Sequence, residues 1–436
     1  MSSEWPVLPL VDCLDALIDY RGKTPEKTDS GIPLITAKII KAGRIQTPTE
    51  FIAVDNYDAW MRRGIPQSGD VVLTVEAPLG EVAQLGPEKV ALAQRVVTLR
   101  GKAGLLDSTY LLYLLQTEEI QDQLKARATG TTVLGIKQSE LRKVPIKVPP
   151  LTLQREAANT LKAIDDRITL LRETNATLEG IAQALFKSWF IDFEPVRAKM
   201  EGRAPDGIFE ATAGLFPDSF EETAFGVAPK GWAIRTMADV STVGIGKTPP
   251  RKEQHWFSEN PSDVRWVSIR DMGAVGVFAA QTSEFLTGEA ISQFNVRRVP
   301  NNTVLMSFKM TIGRVAITDG EMTTNEAIAH FKIESDAPLT SEYIYLHLRN
   351  FDFSKLSSTS SIADAVNSKT VREIPILIPG ADVLAAFQNQ VRTLFECLKN
   401  SEQQADNLAT LRDTLLSRLV SGEIRIDESA EALEDW

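Results

Sequence analysis

Hydrophobic and polar residues follow two different rhythms along this chain, and the change of rhythm divides it. Between Pro149-Pro150 and Pro195 there is no proline and a single glycine, Gly180. Apolar or small residues recur there at Leu161, Ile164, Ile168 and Leu171, then at Leu178, Ala182, Leu185 and Trp189, with Asn175 in the one polar slot. Steps that alternate three and four draw one narrow stripe along a helix, the heptad seam of a helix that packs on another. At ~1.5 Å per residue, roughly 40 residues predict a rod of about 60 Å. A second stretch follows Pro379-Gly380 and ends before Gly422, with its stripe at Val391, Leu394, Leu398, Ala405, Leu408, Leu415 and Leu419. Ser401 and Arg412 interrupt this stripe, so its seam is the weaker one. Two helices of matched length and narrow stripe are expected to pack against each other; the alternative is that each lies on its own globular domain. A buried Asn175 would help to fix their register.

Elsewhere the rhythm is that of short strands. Runs such as DVVLTV, RVVTLR, TVLMSF and RVAIT are β-branched and lie between Gly, Pro and Asn. One amphipathic helix follows each set, over 108–126 and 341–350. These elements occur twice. Gly22-Lys23-Thr24-Pro25 returns as Gly246-Lys247-Thr248-Pro249, and IPLITAKIIKAGRI (32–45) is answered by VRWVSIRDMGAVGVF (264–278). GDVVLTVEAPLGEVAQ (69–84) is matched by NTVLMSFKMTIGRVAI (302–317), STYLLYLLQ by SEYIYLHLR, and VPIKVP by IPILIP. Order is kept throughout at an offset of roughly 224 to 234 residues, which means duplicated domains and not a solenoid.

Bulk properties add limits. With 436 residues, 43% apolar and 24% charged, the chain is long enough for two to four units with sizeable cores. No apolar run reaches the length of a membrane span, and the start lacks the pattern of a secretory signal, so a cytoplasmic location without membrane contact is expected. Cys13 and Cys397, the only cysteines, read as two reduced thiols. The net charge of −11 argues against a nucleic-acid partner until its distribution is considered. Residues 1–150 hold 18 basic and 18 acidic side chains and 231–380 hold 15 and 16; the surplus lies in 201–230 (2 against 6) and 381–436 (5 against 11). Two nearly neutral segments can still carry basic faces.

The chemistry of catalysis is missing from the pattern. Gly246-Lys247-Thr248 suggests a phosphate-binding P-loop, but Ser241 stands where that motif needs its first glycine, and Pro249-Pro250 blocks the helix that must follow. Three histidines (His255, His330, His347) without H-E-x-x-H or paired cysteines make no metal site. No G-x-S-x-G or G-x-G-x-x-G is present, and no carboxylate pair or Ser/His combination repeats between the halves. What does recur is a set of polar and basic loop residues. The first half has Lys23, Thr24, Lys38, Lys41, Arg44, Arg62, Arg63, Lys137 and Gln138. The second has Lys247, Thr248, Arg251, Lys252, Arg270, Arg297, Arg298, Lys309, Arg314, Asn367 and Lys369. Such side chains hold phosphates and pair with base edges, although any one of them alone reads more readily as a solvated charge.

The segment VPIKVPPLTLQREAANTLKAIDDRITLLRETNATLEGIAQALFKSWF (144–190) resembles the central conserved region of the specificity (S) subunit of Type I restriction–modification systems. The features that match are Pro149, Pro150, Leu151 and Gln154 leading into a long helix that ends with Leu185-Phe186. DTLLSRLVSGEIRI (413–426) resembles the end of that family's second conserved helix, and TGTTVLGIKQSEL (129–141) and SSTSSIADAVNSKTV (357–371) resemble the loops before each helix. The second helix departs from the pattern by starting at Pro379-Gly380-Ala381, with Gln388 as the counterpart of Gln154.

The resemblance implies an α+β chain, with target-recognition domains at 1–148 and 231–379 separated by two long helices (149–200 and 380–426) in an antiparallel coiled coil. An acidic linker (201–230) and an acidic tail (427–436) complete it. It implies that each domain reads one half of a bipartite site in double-stranded DNA, and that the chain docks two methyltransferase (M) subunits and, in some assemblies, restriction/translocase (R) subunits; the unlike loops KTDSGIP and RKEQHWFSENPSDVRW predict that the site is asymmetric. S-adenosylmethionine, ATP and Mg would belong to those partners, with no cofactor or metal on this chain and no catalytic residue. Adding four residues to both helices should then widen the site by roughly one to two base pairs. The isolated chain is expected to bind DNA weakly. A non-enzymatic scaffold built on a coiled coil is the competing reading.

Overall fold

The computed structural model describes residues 5–223, 226–334, 337–356 and 366–424. The part of the second pre-helix loop at 357–365 and the acidic tail at 427–436 lie outside the described residues. The chain forms two compact units, one drawn from residues 1–169 and 406–436 and the other from residues 170–405.

The first unit is built on β1 (Leu14–Asp19), β2 (Val71–Val75), β3 (Leu79–Gln84) and β4 (Val96–Gly101), an antiparallel sheet in the order β1-β4-β2-β3. Every residue of β2 is buried, because both faces of the sheet are covered, and this is why the strand reads as an apolar run broken only by Thr74. Val71, Leu73 and Leu99 face Tyr110 and Leu111 of α1 (Ser108–Leu114). Val72 and Val96 face the other way, into a core with Leu34 and Leu92 from a smaller sheet of Phe51–Ile52, Ile32–Ile35 and Ala91–Leu92. The helix expected over 108–126 is two helices, α1 and α2 (Glu118–Ala126). The Thr117 hydroxyl donates to the Leu114 carbonyl at 2.7 Å and closes α1 before α2 begins. The chain then enters α3 (Leu151–Phe190), a helix of 40 residues.

The second unit repeats this plan. Its sheet of β5 (Thr242–Ile245), β6 (Phe278–Ala279), β7 (Val304–Ser307), β8 (Val315–Thr318) and β9 (Ile328–Lys332) runs β5-β9-β7-β8-β6. The first four strands reproduce the order of β1-β4-β2-β3, and the register is also kept. Val71 pairs with Leu99 in one unit and Val304 with Phe331 in the other; Leu34 pairs with Ala91 and Trp266 with Thr323. Helix α4 (Ser341–Asn350) stands where α1 does, and α5 (Ala381–Ser421) is the second long helix, of 41 residues. Residues 201–230, expected as an acidic linker, include a hairpin of Phe220–Thr223 and Gly226–Pro229, and Phe216, which packs edge-on against Trp189 at 4.9 Å.

Each long helix contributes to both units, and the start of one meets the end of the other. In the first unit Ala157, Ala158 and Leu161 of α3 share a core with Leu415, Leu419 and Val420 of α5. In the second, Phe186 and Phe190 of α3 lie against Phe387 of α5, with ring centroids 5.9 and 4.8 Å apart. The pair is therefore an antiparallel coiled coil, and both helices also pack on the globular cores, so the two arrangements weighed from sequence coexist. Leu161, Ile168, Leu171, Val391, Leu398, Ala405, Leu415 and Leu419 are buried, while Ile164, Asn175, Leu178, Leu185, Leu394 and Leu408 are half-buried. Arg412, which interrupts the seam, is held by Asp165 of the facing helix at 2.8 Å, and the Tyr113 hydroxyl donates to the same carboxylate at 2.8 Å. Asn175 Oδ1 is shut away from solvent and accepts no hydrogen bond from a described residue.

Gln154 shows why that residue belongs at the start of α3. It is fully buried, its amide donates to the carbonyls of Leu105 (2.9 Å) and Pro149 (2.7 Å), and its carbonyl accepts from the Asp107 N–H (2.9 Å). Gln388 donates to the Pro338 carbonyl at 3.4 Å. Pro338 occupies the place in the second unit that Leu105 holds in the first, so the two glutamines serve matching positions.

Candidate nucleic-acid interface

The repeated Gly-Lys-Thr-Pro turns come first along each unit. Gly246 lies against the strand edge so closely that a Cβ there would meet the Asn325 carbonyl oxygen at 2.0 Å. Its N–H donates to the Ile328 carbonyl at 3.0 Å, and that of Lys247 to the Thr324 carbonyl at 2.9 Å. These amides are used up in the fold, so the turn cannot cradle a phosphate in the manner of a P-loop. What it presents to solvent is the Lys247 side chain; Lys23 and Thr24 are likewise exposed in the first unit.

The basic residues singled out from sequence separate into two groups. Several are tied into the fold. Arg44 donates to the Asp165 carbonyl (3.1 Å), and Arg63 to the carbonyls of Asp19 (3.1 Å) and Arg21 (2.7 Å). Arg251 makes a two-pronged pair with Glu284 (2.7 and 2.8 Å) and stacks over Phe257 and Trp266. Arg298 pairs with Glu321 and Arg314 donates to the Ile269 carbonyl at 2.6 Å. Lys38 faces Glu50 at 3.6 Å and Lys369 faces Glu373 at 3.8 Å, both at exposed positions where such pairs hold weakly. The Thr248 hydroxyl donates to Glu326. Asn367 spends its carbonyl on the N–H groups of Lys369 (2.9 Å) and Thr370 (3.1 Å) as a helix cap. Gln138 is half-buried in the first turn of the helix Gln138–Leu141.

The other group is exposed and makes no side-chain hydrogen bond or ion pair with a described residue: Lys23, Lys41, Arg62 and Lys137 in the first unit, and Lys247, Lys252, Arg270, Arg297 and Lys309 in the second. In the second unit some of these meet at concave surfaces. A cleft of about 260 Å³ is lined by Lys247, Asn295, Arg297 and Arg372. Of this wall, Arg297 lies near the buried His330 beside Gly244; burial pushes His330 down to about 4, with the Arg297 charge adding to the effect. A neutral histidine behind three cations leaves an anion as the natural guest. A wider groove of about 560 Å³ is lined by Thr248, Ser268, Arg270, Ser283 and Asn325, with Met310 at its rim.

Arg372 was not among the residues chosen from sequence, yet the repeat carries a signal for it. LRKVPIKVP and VREIPILIP place Arg142 and Arg372 at the same point of the two copies, and Arg142 is exposed. Among the described residues no group of three or more His, Cys, Asp or Glu is placed to hold a metal ion. Both cysteines are free thiols, and no described helix is long and apolar enough to cross a membrane.

Comparison with known proteins gives one family. A sequence profile described as Type I restriction modification DNA specificity domain matches twice, over residues 4–180 and 229–404. The chain is 26% identical over 382 residues to the Type I restriction enzyme HindI specificity subunit of Haemophilus influenzae, spanning 77% of this chain and 82% of that one. It is 27% identical over 372 residues to the MjaIX specificity subunit of Methanocaldococcus jannaschii, spanning 83% and 78%. Among solved structures, the S subunit of a Type I restriction–modification system from M. genitalium shares the fold, with a TM-score of 0.56 at 16% identity over 95% of this chain and 96% of that one.

Proposed function

From a chain that belongs to the Type I restriction–modification DNA specificity family, and is therefore a DNA-recognition subunit without catalytic activity of its own, we propose the following division of labour. Residues 1–148 and 231–379 are two target-recognition domains, and each reads one half of an asymmetric, bipartite site in double-stranded DNA. The long helices at 149–200 and 380–426 hold the two readers and dock two methyltransferase subunits, to which translocating restriction subunits attach. Members of the family bind no cofactor themselves; S-adenosylmethionine, ATP and Mg act on the partner subunits.

The observation that carries this reading is one fold used twice with unlike surfaces. Strand order and register repeat, so the scaffold is common. The loops laid on it differ: Lys23 is followed by Thr-Pro-Glu-Lys-Thr-Asp, whereas Lys247 is followed by Thr-Pro-Pro-Arg-Lys-Glu. Unlike loops on a common frame are what two different half-sites require, because phosphate contacts place a reader and side chains on base edges give it its sequence. The free cations serve the first purpose. The Ser283 hydroxyl, the Asn325 amide nitrogen and the Arg270 guanidinium around the wider groove serve the second, since such groups match the acceptors and donors of the major groove. The acidic total charge fits a subunit whose partners supply much of the phosphate neutralisation.

The test is an exchange. Residues 231–379 are replaced by the matching segment of another family member, and methylated bases are sequenced in cells carrying either version with the same partner subunits. One half of the methylated motif should change while the other half and the gap stay fixed. An unchanged motif, or loss of both halves with a folded chain, would overturn the assignment.

A further inference from the structure

Met310 has an accessibility of 91%, the highest of any large apolar side chain among the described residues. It sits in the connection between β7 and β8 with φ at +62°, a left-handed backbone that side chains resist. The first unit has a counterpart at this point: Ala77 has φ at +51° and is followed, across a cis bond to Pro78, by Gly80 at +97°, as Met310 is followed by Gly313 at +86°. The left-handed position therefore belongs to the shared fold, but its side chain does not. One copy carries the smallest side chain that has a Cβ, and the other carries a long apolar one that points at solvent. No described residue buries a methionine there.

Its surroundings name the occupant. Met310 lines the groove of about 560 Å³ with Ser268, Arg270, Ser283 and Asn325; its two carboxylates are engaged, Glu284 by Arg251 and Glu326 by the Thr248 hydroxyl, and Lys309, whose ammonium lies over the Phe308 ring at 5.4 Å, precedes Met310. Cations beside an apolar tip suit DNA. A wedge for the minor groove would need little beyond cations and apolar bulk. Hydroxyl, amide and guanidinium groups together match the major groove, where the one apolar feature of a base pair is the thymine C5-methyl group. Resting on the reading that residues 231–379 recognise DNA, we infer that Met310 is a specificity-determining residue: its side chain packs on the methyl group of one thymine in the half-site read by the second unit.

The test uses the chain assembled with its methyltransferase subunits and a duplex carrying the site found by methylation sequencing. Each thymine of that half-site is replaced in turn by deoxyuridine, which lacks only the methyl group. For the unaltered chain one position should weaken binding about fourfold, the effect of one buried methyl group. Met310→Gly should make that position indifferent and bind the unmodified site about fourfold more weakly, while its Tm stays at or above that of the parent, because glycine accepts positive φ. Met310→Ala, which copies Ala77, should behave in the same way if glycine disturbs the turn. A flat deoxyuridine series, or equal losses at every thymine in parent and variants alike, would overturn the inference. A flat series in a chain whose motif still follows the exchanged segment would remove Met310 alone; a motif that ignores the exchange would remove the DNA-reading assignment itself.

Discussion

An arginine's role here depends on whether another part of the chain has already claimed its guanidinium. Arg251 is claimed by Glu284 and by two aromatic faces, so Arg251→Gln should lower the melting temperature and leave the salt dependence of DNA binding nearly unchanged. Arg297 and Lys247 are unclaimed and share the cleft with Arg372. Arg297→Gln and Lys247→Gln should each weaken the assembled complex by similar factors on cognate and unrelated duplexes, and should each reduce the slope of log Kobs against log salt by about one. Titrations at several salt concentrations decide the matter; slopes equal to the parent's would remove this cleft from the phosphate path. Sequence could not sort these residues, because the claiming partner is remote: Arg44 meets the carbonyl of Asp165, and Arg63 meets the carbonyls of Asp19 and Arg21. The repeated Arg142 and Arg372 were within its reach, since copy matched to copy needs no knowledge of distance.

Among the elements, the long helices and the paired strands were the most legible, since a period of seven or an unbroken β-branched run is a local property that tertiary packing reinforced. Less legible were features that depend on a neighbour, such as the break at Thr117 and the pairing that admits Arg412 to the seam. Burial of polar side chains on apolar-looking elements is the hardest to foresee, and two histidines show its consequence. His330 on β9 and His347 on α4 are held down to about 4 by burial, against an ordinary value of about 6.5. Between those values the unfolded chain takes up protons that the folded unit refuses, so stability rises with pH across the window and is lost as pH falls from about 6.5 towards 4. At pH 5 the loss should be of order 2 kcal/mol for each histidine, relative to pH 8. All three histidines lie in the second unit, so the effect should be confined to it. Hydrogen exchange should show Ile328–Lys332 and Ser341–Asn350 losing protection between pH 7 and 5 while Val96–Gly101 does not, after correction for intrinsic rates. His347→Phe should remove about half of the slope. Equal behaviour of the two units would refute the assignment.

For the molecule as a whole, the bearing of the fold on function lies in the fact that neither long helix belongs to one unit alone. A change in helix length is therefore a change in how the two readers meet DNA, provided that the seam stays in phase. Four residues, which would widen the site by roughly one to two base pairs, also leave a stutter that turns each stripe by about 40°, whereas seven keep it within about 20° because the pattern repeats every seven. Seven residues inserted after Thr169 in α3 and seven after Ala405 in α5 fall where the chain passes between its units and keep Ile168 and Leu171, and Ala405 and Leu408, in register. At ~1.5 Å per helical residue this adds about 10 Å, or about three base pairs at ~3.4 Å each. The methylated motif should keep both halves and gain about three base pairs between them. It should also be methylated more slowly. Duplex DNA completes a turn in about 10.5 base pairs, so three more rotate one half-site by roughly 100°, and the complex must twist the duplex or itself to engage both. An insertion in one helix alone should abolish methylation, because the antiparallel pair can no longer match along its length. If the double insertion leaves the gap unchanged in a folded, active complex, then the partner subunits set the spacing and the helices only hold the readers together.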